Sequence, residues 1–234
     1  MIKEKVDLKE KRIIPNKKLI FTVVALLLAL ILIFCTVGHI KGLFSSGDKD
    51  AKSGFELVLS KNVRKAMELE APDWVDKQII NIHSTARTGT KLRDINNIVI
   101  HYVGNPDSTA QNNREYFNKA STGVSSHFIV GLEGEIIQCV PVYEKSAASN
   151  NRNSDTISIE VCHPDETGRF NEETYNSVIK LCVWLCDEFS LDETEIIRHY
   201  DITGKNCPKY YVENPSEWEE FCKDVKEGLD KHEK

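Results

Sequence analysis

The 234-residue sequence predicts an α/β domain, a mixed central β-sheet flanked by helices, preceded by one N-terminal transmembrane helix. Three observations predict it. Short β-branched runs alternate with longer stretches of helical periodicity, the pattern of strands joined through crossover helices. One pair of runs is separated only by GLEG at residues 131–134, a hairpin signal that makes the sheet mixed. Twenty consecutive residues, 19–38, carry no charge. A content of 41% hydrophobic and 28% charged residues, with 12 Gly and 7 Pro, suits a chain that buries one ordinary core and has room for an appendage.

From the N-terminus, residues 1–18 hold seven Lys/Arg against three Asp/Glu, a net of +4. Residues 19–40 are uncharged and the whole chain stands at −6, so the remainder carries −10. A net-acidic domain lacks the clustered Lys/Arg that nucleic acid requires, and nucleic acid is excluded as a partner. Residues 19–38 (LIFTVVALLLALILIFCTVG) span about 30 Å as a helix, the thickness of a hydrocarbon core. A buried core helix would show an amphipathic stripe, whereas residues 25–34 are apolar all round. A cleaved signal has a shorter apolar region and a better small-residue site than Thr36-Val37-Gly38. Residues 19–40 are therefore expected to be a signal anchor in the cytoplasmic membrane. The basic residues 1–18 place the N-terminus in the cytoplasm and the main domain outside the cell. Residues 41–54 (KGLFSSGDKDAKSG) read as a flexible linker, and residues 55–234 as the folded domain.

Within that domain, Leu59, Val63, Ala66 and Met67 recur at helical spacing. Residues 98–103 (IVIHYV) form a short apolar run between Asn96-Asn97 and Gly104-Asn105-Pro106, a buried strand. Ser108 or Thr109 can cap a helix reaching about residue 120. Residues 127–130 and 135–140 are the hairpin strands, and residues 156–162 (TISIEVC) are another strand. Residues 172–189 are a helix with Tyr175, Val178, Cys182, Leu185, Cys186 and Phe189 on one face. A last short strand at Ile196-Ile197 leads into His199, and a helix over residues 216–229 closes the chain.

Seven Cys occur, at positions 35, 139, 162, 182, 186, 207 and 222. Cys182 and Cys186 share the apolar helix face, where a free Cys packs as a small hydrophobe. Cys207 differs, because HYDITGKNCP at residues 199–208 crowds a His, a Lys and a Cys into one polar turn after a strand. A catalytic zinc needs three protein ligands and one open position. His199 and Cys207 offer two; His101, at a strand end, is the natural third, with His83, His127 and His163 as competitors.

The blocks IVIHYVGNP, VSSHFIVGLEGEIIQCVP, ISIEV and IIRHYDITGKNCP, in that order, resemble the zinc-dependent N-acetylmuramoyl-L-alanine amidases, the family of phage lysozyme-type amidases and peptidoglycan-recognition proteins. The resemblance covers residues 72–208. It implies Zn²⁺ held by His101, His199 and Cys207, the last two eight residues apart, and a Lys two residues before the third ligand, Lys205. It also implies a strand Glu, matching Glu160. Ser126 stands where phage members carry a Tyr, which moves the catalytic expectation onto Glu160 and leaves His127 as packing or as support behind the ligands. Tyr102 occupies a place where some members have a second His.

The chemistry can be argued independently. Amide hydrolysis at neutral pH needs an activated water, and zinc lowers the pKa of its water to about 7. Glu160 would take the proton and return it to the leaving amine. Lys205 would face the developing oxyanion, a contribution of about 3 to 4 kcal/mol. Strand alternation puts Ser158, Glu160 and Cys162 on one face and Ile157, Ile159 and Val161 on the other. Asp201 reads as a turn former. The resemblance implies cleavage of the amide between N-acetylmuramic acid and the L-alanine of the stem peptide, with peptidoglycan or muropeptides as partner. A monomer is the expected form. The alternatives are a non-catalytic peptidoglycan-binding module of the same fold and a structural-zinc interaction domain with a closed fourth coordination position.

Overall fold

The computed structural model describes residues 59–82 and 85–232, all within the unit Leu57–Lys234. The expected anchor at residues 19–40 and linker at 41–54 lie outside the described residues, as does His83. Among the described residues no helix is long and apolar enough to cross a membrane.

The chain runs through α1 (Lys61–Glu68), β1 (Val75–Lys77), β2 (Asn97–Tyr102), α2 (Ala110–Phe117), β3 (Phe128–Val130) and β4 (Ile136–Gln138). It continues through β5 (Thr156–Val161), α3 (Glu172–Phe189), β6 (Ile196–Arg198), α4 (His199–Thr203), α5 (Lys209–Glu213) and α6 (Pro215–His232). A 3₁₀ turn at Asn150–Arg152 precedes β5. The strands form one six-stranded sheet in the order β1-β4-β3-β5-β2-β6. Only β3 and β4 pair antiparallel, so the sheet is mixed for the reason expected: a hairpin inserted among crossovers.

Alternation along the central strands sorts their side chains between two cores. Ile98, Ile100, Ile157, Ile159 and Val161 share one cluster with Val178, Leu181, Cys182 and Leu185 of α3 and Phe221 and Val225 of α6. Full burial of each such aliphatic side chain stabilises by about 1.5 to 3 kcal/mol. Ile129, Ile137 and Cys162 project the other way and pack with Ala110 and Phe117 of α2. The second core is smaller, and α2 leaves part of that sheet face uncovered for a cleft.

Local signals explain the helices. Asn171 caps α3 by accepting from Thr174 N at 2.8 Å, and Glu172 and Glu173 in the first turn complement the helix dipole. Ser60 caps α1 by accepting from Val63 N at 3.2 Å, so this helix begins later than its apolar periodicity suggested. The Asn62 amide ties α1 down by donating to the carbonyls of Ile95 and Phe189.

Three differences from the sequence reading have clear causes. Strand β1 escapes the sequence reading because VDK has no apolar run; it joins the edge of the sheet through backbone pairing, with Val75 alone of its side chains buried in the core. Helix α2 stops at Phe117, three residues short of the expected end. Residues 199–208, read as a polar turn, instead begin with the short helix α4. All six cysteines among the described residues carry free thiols, and Cys182 and Cys186 lie in the core as their helical face implied.

Candidate metal centre and active site

In an open α/β sheet, ligands bind in the crevice beyond the carboxyl ends of parallel strands, where the crossovers part. Here β5, β2 and β6 are adjacent and parallel, and each brings a residue of interest to its carboxyl end or just beyond it. His101 is next to last in β2, Glu160 is next to last in β5, and the two are direct register partners. His199 follows β6 without a break. The backbone therefore delivers two imidazoles and a carboxyl to one edge of the sheet before any side-chain choice is made.

Cys207 arrives by a tight detour. Helix α4 turns once from His199 and is stopped by Gly204, which adopts φ 74 and donates its N–H to Tyr200 O at 2.7 Å. This left-handed position is one that glycine occupies without steric cost. The returning chain is pinned where Tyr200 N donates to Cys207 O at 2.9 Å, so the thiol comes back beside the residue that opened the helix. The eight-residue interval between His199 and Cys207 is thus one helical turn plus its reversal. Asp201 accepts from Arg198 N and from the Arg198 guanidinium at 2.8 Å each, the turn-forming part expected of it.

Among the described residues, His101, His199 and Cys207 form the group whose ligand atoms could share a cation; those atoms all lie within 4.8 Å of one another. Cys207 Sγ is 3.9 Å from His101 Nδ1, and the imidazole centroids are 4.6 Å apart. Zn–N bonds of about 2.0 to 2.1 Å and Zn–S bonds of about 2.3 Å put tetrahedral donors roughly 3.3 to 3.6 Å apart. The Cys207–His101 spacing is a few tenths of an ångström wider than that. His199 Nδ1 is buried with no hydrogen-bond partner in the structure, while its Nε2 lies 2.9 Å from Asn150 Oδ1. Two imidazole nitrogens and a thiol, one of them an orphaned buried atom, fit a zinc ion in chemistry and in spacing.

For the two imidazoles the electrostatics agree. Burial, with help from His199 and Lys205, holds His101 well below the usual imidazole range, and burial followed by Lys205 lowers His199. Both rings are neutral at pH 7, the state a ligand needs. Burial pushes the Cys207 thiol up to about 12, Glu160 adding to the rise. Burial also raises Glu160 to about 8 against the pull of Lys205, and Glu160 Oε2 is buried without a partner. His101, Glu160, His199, Lys205 and Cys207 all line one cleft of about 200 Å³, with exposed Tyr116 of α2 on its wall.

Of the competing histidines, His127 and His163 lie among the described residues, and neither joins the group of ligand atoms. His163 Nδ1 lies 2.7 Å from Asp165 O, and its ring stacks on Tyr102. His127 donates from Nε2 to Glu144 O at 2.8 Å and accepts at Nδ1 from Ser158 N at 2.9 Å. Ser126 is buried and donates to Phe128 O, so it sends nothing into the cleft. Burial lowers His127 from its ordinary 6.5 to about 4. As pH falls, the unfolded chain therefore takes up this proton first. The stability contributed by the neutral ring is complete above about pH 6.5 and drains away toward about pH 4, by about 3 kcal/mol. Denaturant unfolding between about pH 7 and about pH 4 should consequently show a shallower decline in His127→Gln than in wild type; equal slopes would assign the acid sensitivity to other groups.

The loop before β5 holds site residues that the sequence reading did not pick out. Ser149 Oγ lies 3.5 Å from His101 Nε2 and 3.0 Å from Ser158 Oγ, and Asn150 faces His199. Their one visible trace in the sequence is the polar run SNNRNSD at residues 149–155, just ahead of the strand TISIEV.

The sequence model of the family described as N-acetylmuramoyl-L-alanine amidase matches residues 91–210, just over half of the chain. Among curated proteins, N-acetylmuramoyl-L-alanine amidase BlyA of Bacillus subtilis is 33% identical over 168 residues, covering 63% of this chain and 45% of BlyA. CwlL of Bacillus licheniformis, also an N-acetylmuramoyl-L-alanine amidase, is 30% identical over 168 residues, covering 64% of this chain and 46% of CwlL. The chain thus spans about half the length of the curated relatives it matches. Among solved structures, a mutant endolysin from Bacillus subtilis superposes with a TM-score of 0.57 at 22% identity, over 64% of this chain and 97% of the endolysin, which establishes a common fold. The matched segment runs from just before β2 to just past Cys207 and so contains every ligand candidate in the cleft; the chain belongs to the N-acetylmuramoyl-L-alanine amidase family.

Proposed function

We propose that this chain is a zinc-dependent N-acetylmuramoyl-L-alanine amidase that hydrolyses the amide between the lactyl group of N-acetylmuramic acid and the L-alanine of the stem peptide. The observation that carries the reading is the convergence of His101, His199 and Cys207 on one point of a cleft that also contains the unpartnered buried carboxyl of Glu160. Zinc, when bound, supplies Lewis acidity and a water acidified to about pKa 7.

The chain's own residues do the rest. His101, His199 and Cys207 would hold the ion, and the cleft they line would bring water and substrate to it. Glu160, the direct register partner of His101, would be drawn to its carboxylate form by a cation held beside it; as the carboxylate it would accept the proton of the attacking water and hand it to the departing alanine nitrogen. Its raised proton affinity lets it carry that proton between the two steps. Lys205, exposed at the mouth of the cleft, places positive charge where the carbonyl oxygen becomes anionic.

We further infer that residues 19–40 anchor the enzyme in the cytoplasmic membrane with residues 1–18 inside, and that the 14-residue linker at 41–54 holds a monomeric catalytic domain against peptidoglycan outside. The uncharged run at 19–38 and the basic excess before it support this reading.

One experiment tests the core of the proposal. Residues 55–234 retain α1, whose Val63 and Ala66 are buried in the main core, and so should be soluble, folded and active. Incubated with muropeptides, this domain should release stem peptides bearing a free alanine amine, read by mass analysis, and a chelator should stop the release. Binding of muropeptides without cleavage would replace the enzyme by a recognition module, and chelator-insensitive cleavage would remove the metal from the mechanism.

A further inference from the structure

A neutral imidazole carries one N–H, so a histidine that offers Nδ1 to a cation must keep its proton on Nε2, and that proton needs an acceptor. At His199 the structure supplies both halves. Nε2 is 2.9 Å from Asn150 Oδ1, and Nδ1 is buried without a hydrogen-bond partner, which makes Nδ1 the nitrogen left for the group that His199 forms with Cys207 and His101. We propose that Asn150 is a positioning residue of the metal centre: by accepting from His199 Nε2–H it fixes the tautomer and ring orientation that present Nδ1 to the zinc. The inference rests on the zinc reading above and adds to it a residue that never touches the ion.

Three features mark Asn150 as built for this contact. Its backbone takes φ 53, in the left-handed region, where Asn is enriched over other non-glycine residues. The turn that carries it is strapped in place: Asn153 Oδ1 accepts from Ala148 N at 3.1 Å and Ser149 N at 2.6 Å. Arg152 reaches Asn97 Oδ1 at the start of β2 at 2.6 Å, and Thr156 Oγ1 donates to Arg152 O at 2.8 Å at the start of β5. The acceptor is therefore referenced to the same strands that carry His101 and Glu160. Finally, the preceding residue makes the parallel contact, Ser149 Oγ facing His101 Nε2, so one dipeptide receives the outward nitrogens of both imidazoles. A carboxamide does this without adding charge beside the thiolate.

The test uses the full-length protein, with zinc alone as the probe, in wild type, Asn150→Gly and Asn150→Asp. Glycine removes the acceptor while accepting the left-handed backbone; aspartate restores an acceptor oxygen at the same reach. Zinc affinity is read by competition with a chromophoric chelator, and the His199 tautomer by long-range ¹⁵N imidazole spectra of the metal-free protein. Asn150→Gly should lose about 10- to 100-fold in zinc affinity, the usual cost of removing a partner that orients a metal ligand, and Asn150→Asp should recover it. Wild type should show the Nε2–H tautomer at His199, and Asn150→Gly a mixture. Undiminished affinity in Asn150→Gly overturns the proposal, and so does an Nδ1–H tautomer in wild type, a result that needs no variant to fold. Wild type that takes up no zinc overturns the proposal together with the reading of the site. Wild type that takes up zinc and cleaves muropeptides while Asn150→Gly binds equally well removes only the role of Asn150.

Discussion

Cys207→Ser should lose its zinc and, with it, hydrolysis of muropeptides. A serine hydroxyl is a far poorer zinc ligand than a thiolate, and the site has two imidazoles left, one fewer protein ligand than a catalytic zinc uses. Cys207 is buried beside His101, and among the described residues the group of ligand atoms that could share a cation holds only these three donors. Loss of the Lewis acid removes several kcal/mol of transition-state stabilisation, a fall in rate of more than about 10²-fold. His101→Ala and His199→Ala should behave alike, because each removes one of the three donors that lie within 4.8 Å. His163→Ala provides the contrast. Its ring bonds to Asp165 O and stacks on Tyr102 outside the trio, so zinc should stay at about one per chain. Metal analysis of dialysed proteins, with circular dichroism to show that each variant is folded, decides the matter. Full zinc occupancy in all three ligand variants would dissolve the site, whatever their activity.

Why these three residues were legible while Asn150 was not follows from how each is placed. His101 and Glu160 sit at the ends of apolar, β-branched runs, and such runs announce a buried parallel strand from composition alone. A polar residue at the end of such a strand emerges at the carboxyl edge of the sheet, so its position in the fold could be read along with its identity. The His199 to Cys207 interval was legible as spacing, yet its shape was not. Helix α4 is one turn long, has no apolar periodicity, and is ended by Gly204 for a reason visible only in its φ. Asn150 has weaker signals still. Its function comes from a contact across 49 residues of sequence and from a left-handed backbone in a polar loop, and neither leaves a periodic trace. Strand β1 was hidden for the opposite reason, since edge pairing asks nothing of side chains beyond Val75. Legibility tracks apolar patterning; the parts of the site that orient the ligands are polar and aperiodic, and only the fold brings them to the residues they orient.

Glu160→Gln and Lys205→Ala should keep about one zinc per chain and lose turnover, separating possession of the metal from its use. Neither side chain belongs to the trio of ligand atoms, and both line the cleft that the trio floors. Glutamine fills the space of Glu160 without a proton to accept or return, so loss of general acid-base help should lower kcat by about 10² to 10⁴. Removing the Lys205 ammonium withdraws positive charge from the developing oxyanion, a loss of about 10² to 10³ by comparison with oxyanion-hole deletions; the exposure of Lys205 puts it toward the lower end. Both groups act on charge that appears only in the transition state, so KM should move much less than kcat. Glu160→Gln should also bind zinc no more weakly than wild type by a large factor, since the carboxyl it replaces is held close to neutral by burial before any cation arrives. Zinc content, kcat and KM measured on the same preparations carry the comparison. Near-wild-type rates in both variants would strip Glu160 and Lys205 of their roles while leaving the metal centre standing. Loss of zinc in Glu160→Gln would instead make the carboxyl a ligand, closing the position that substrate and water need.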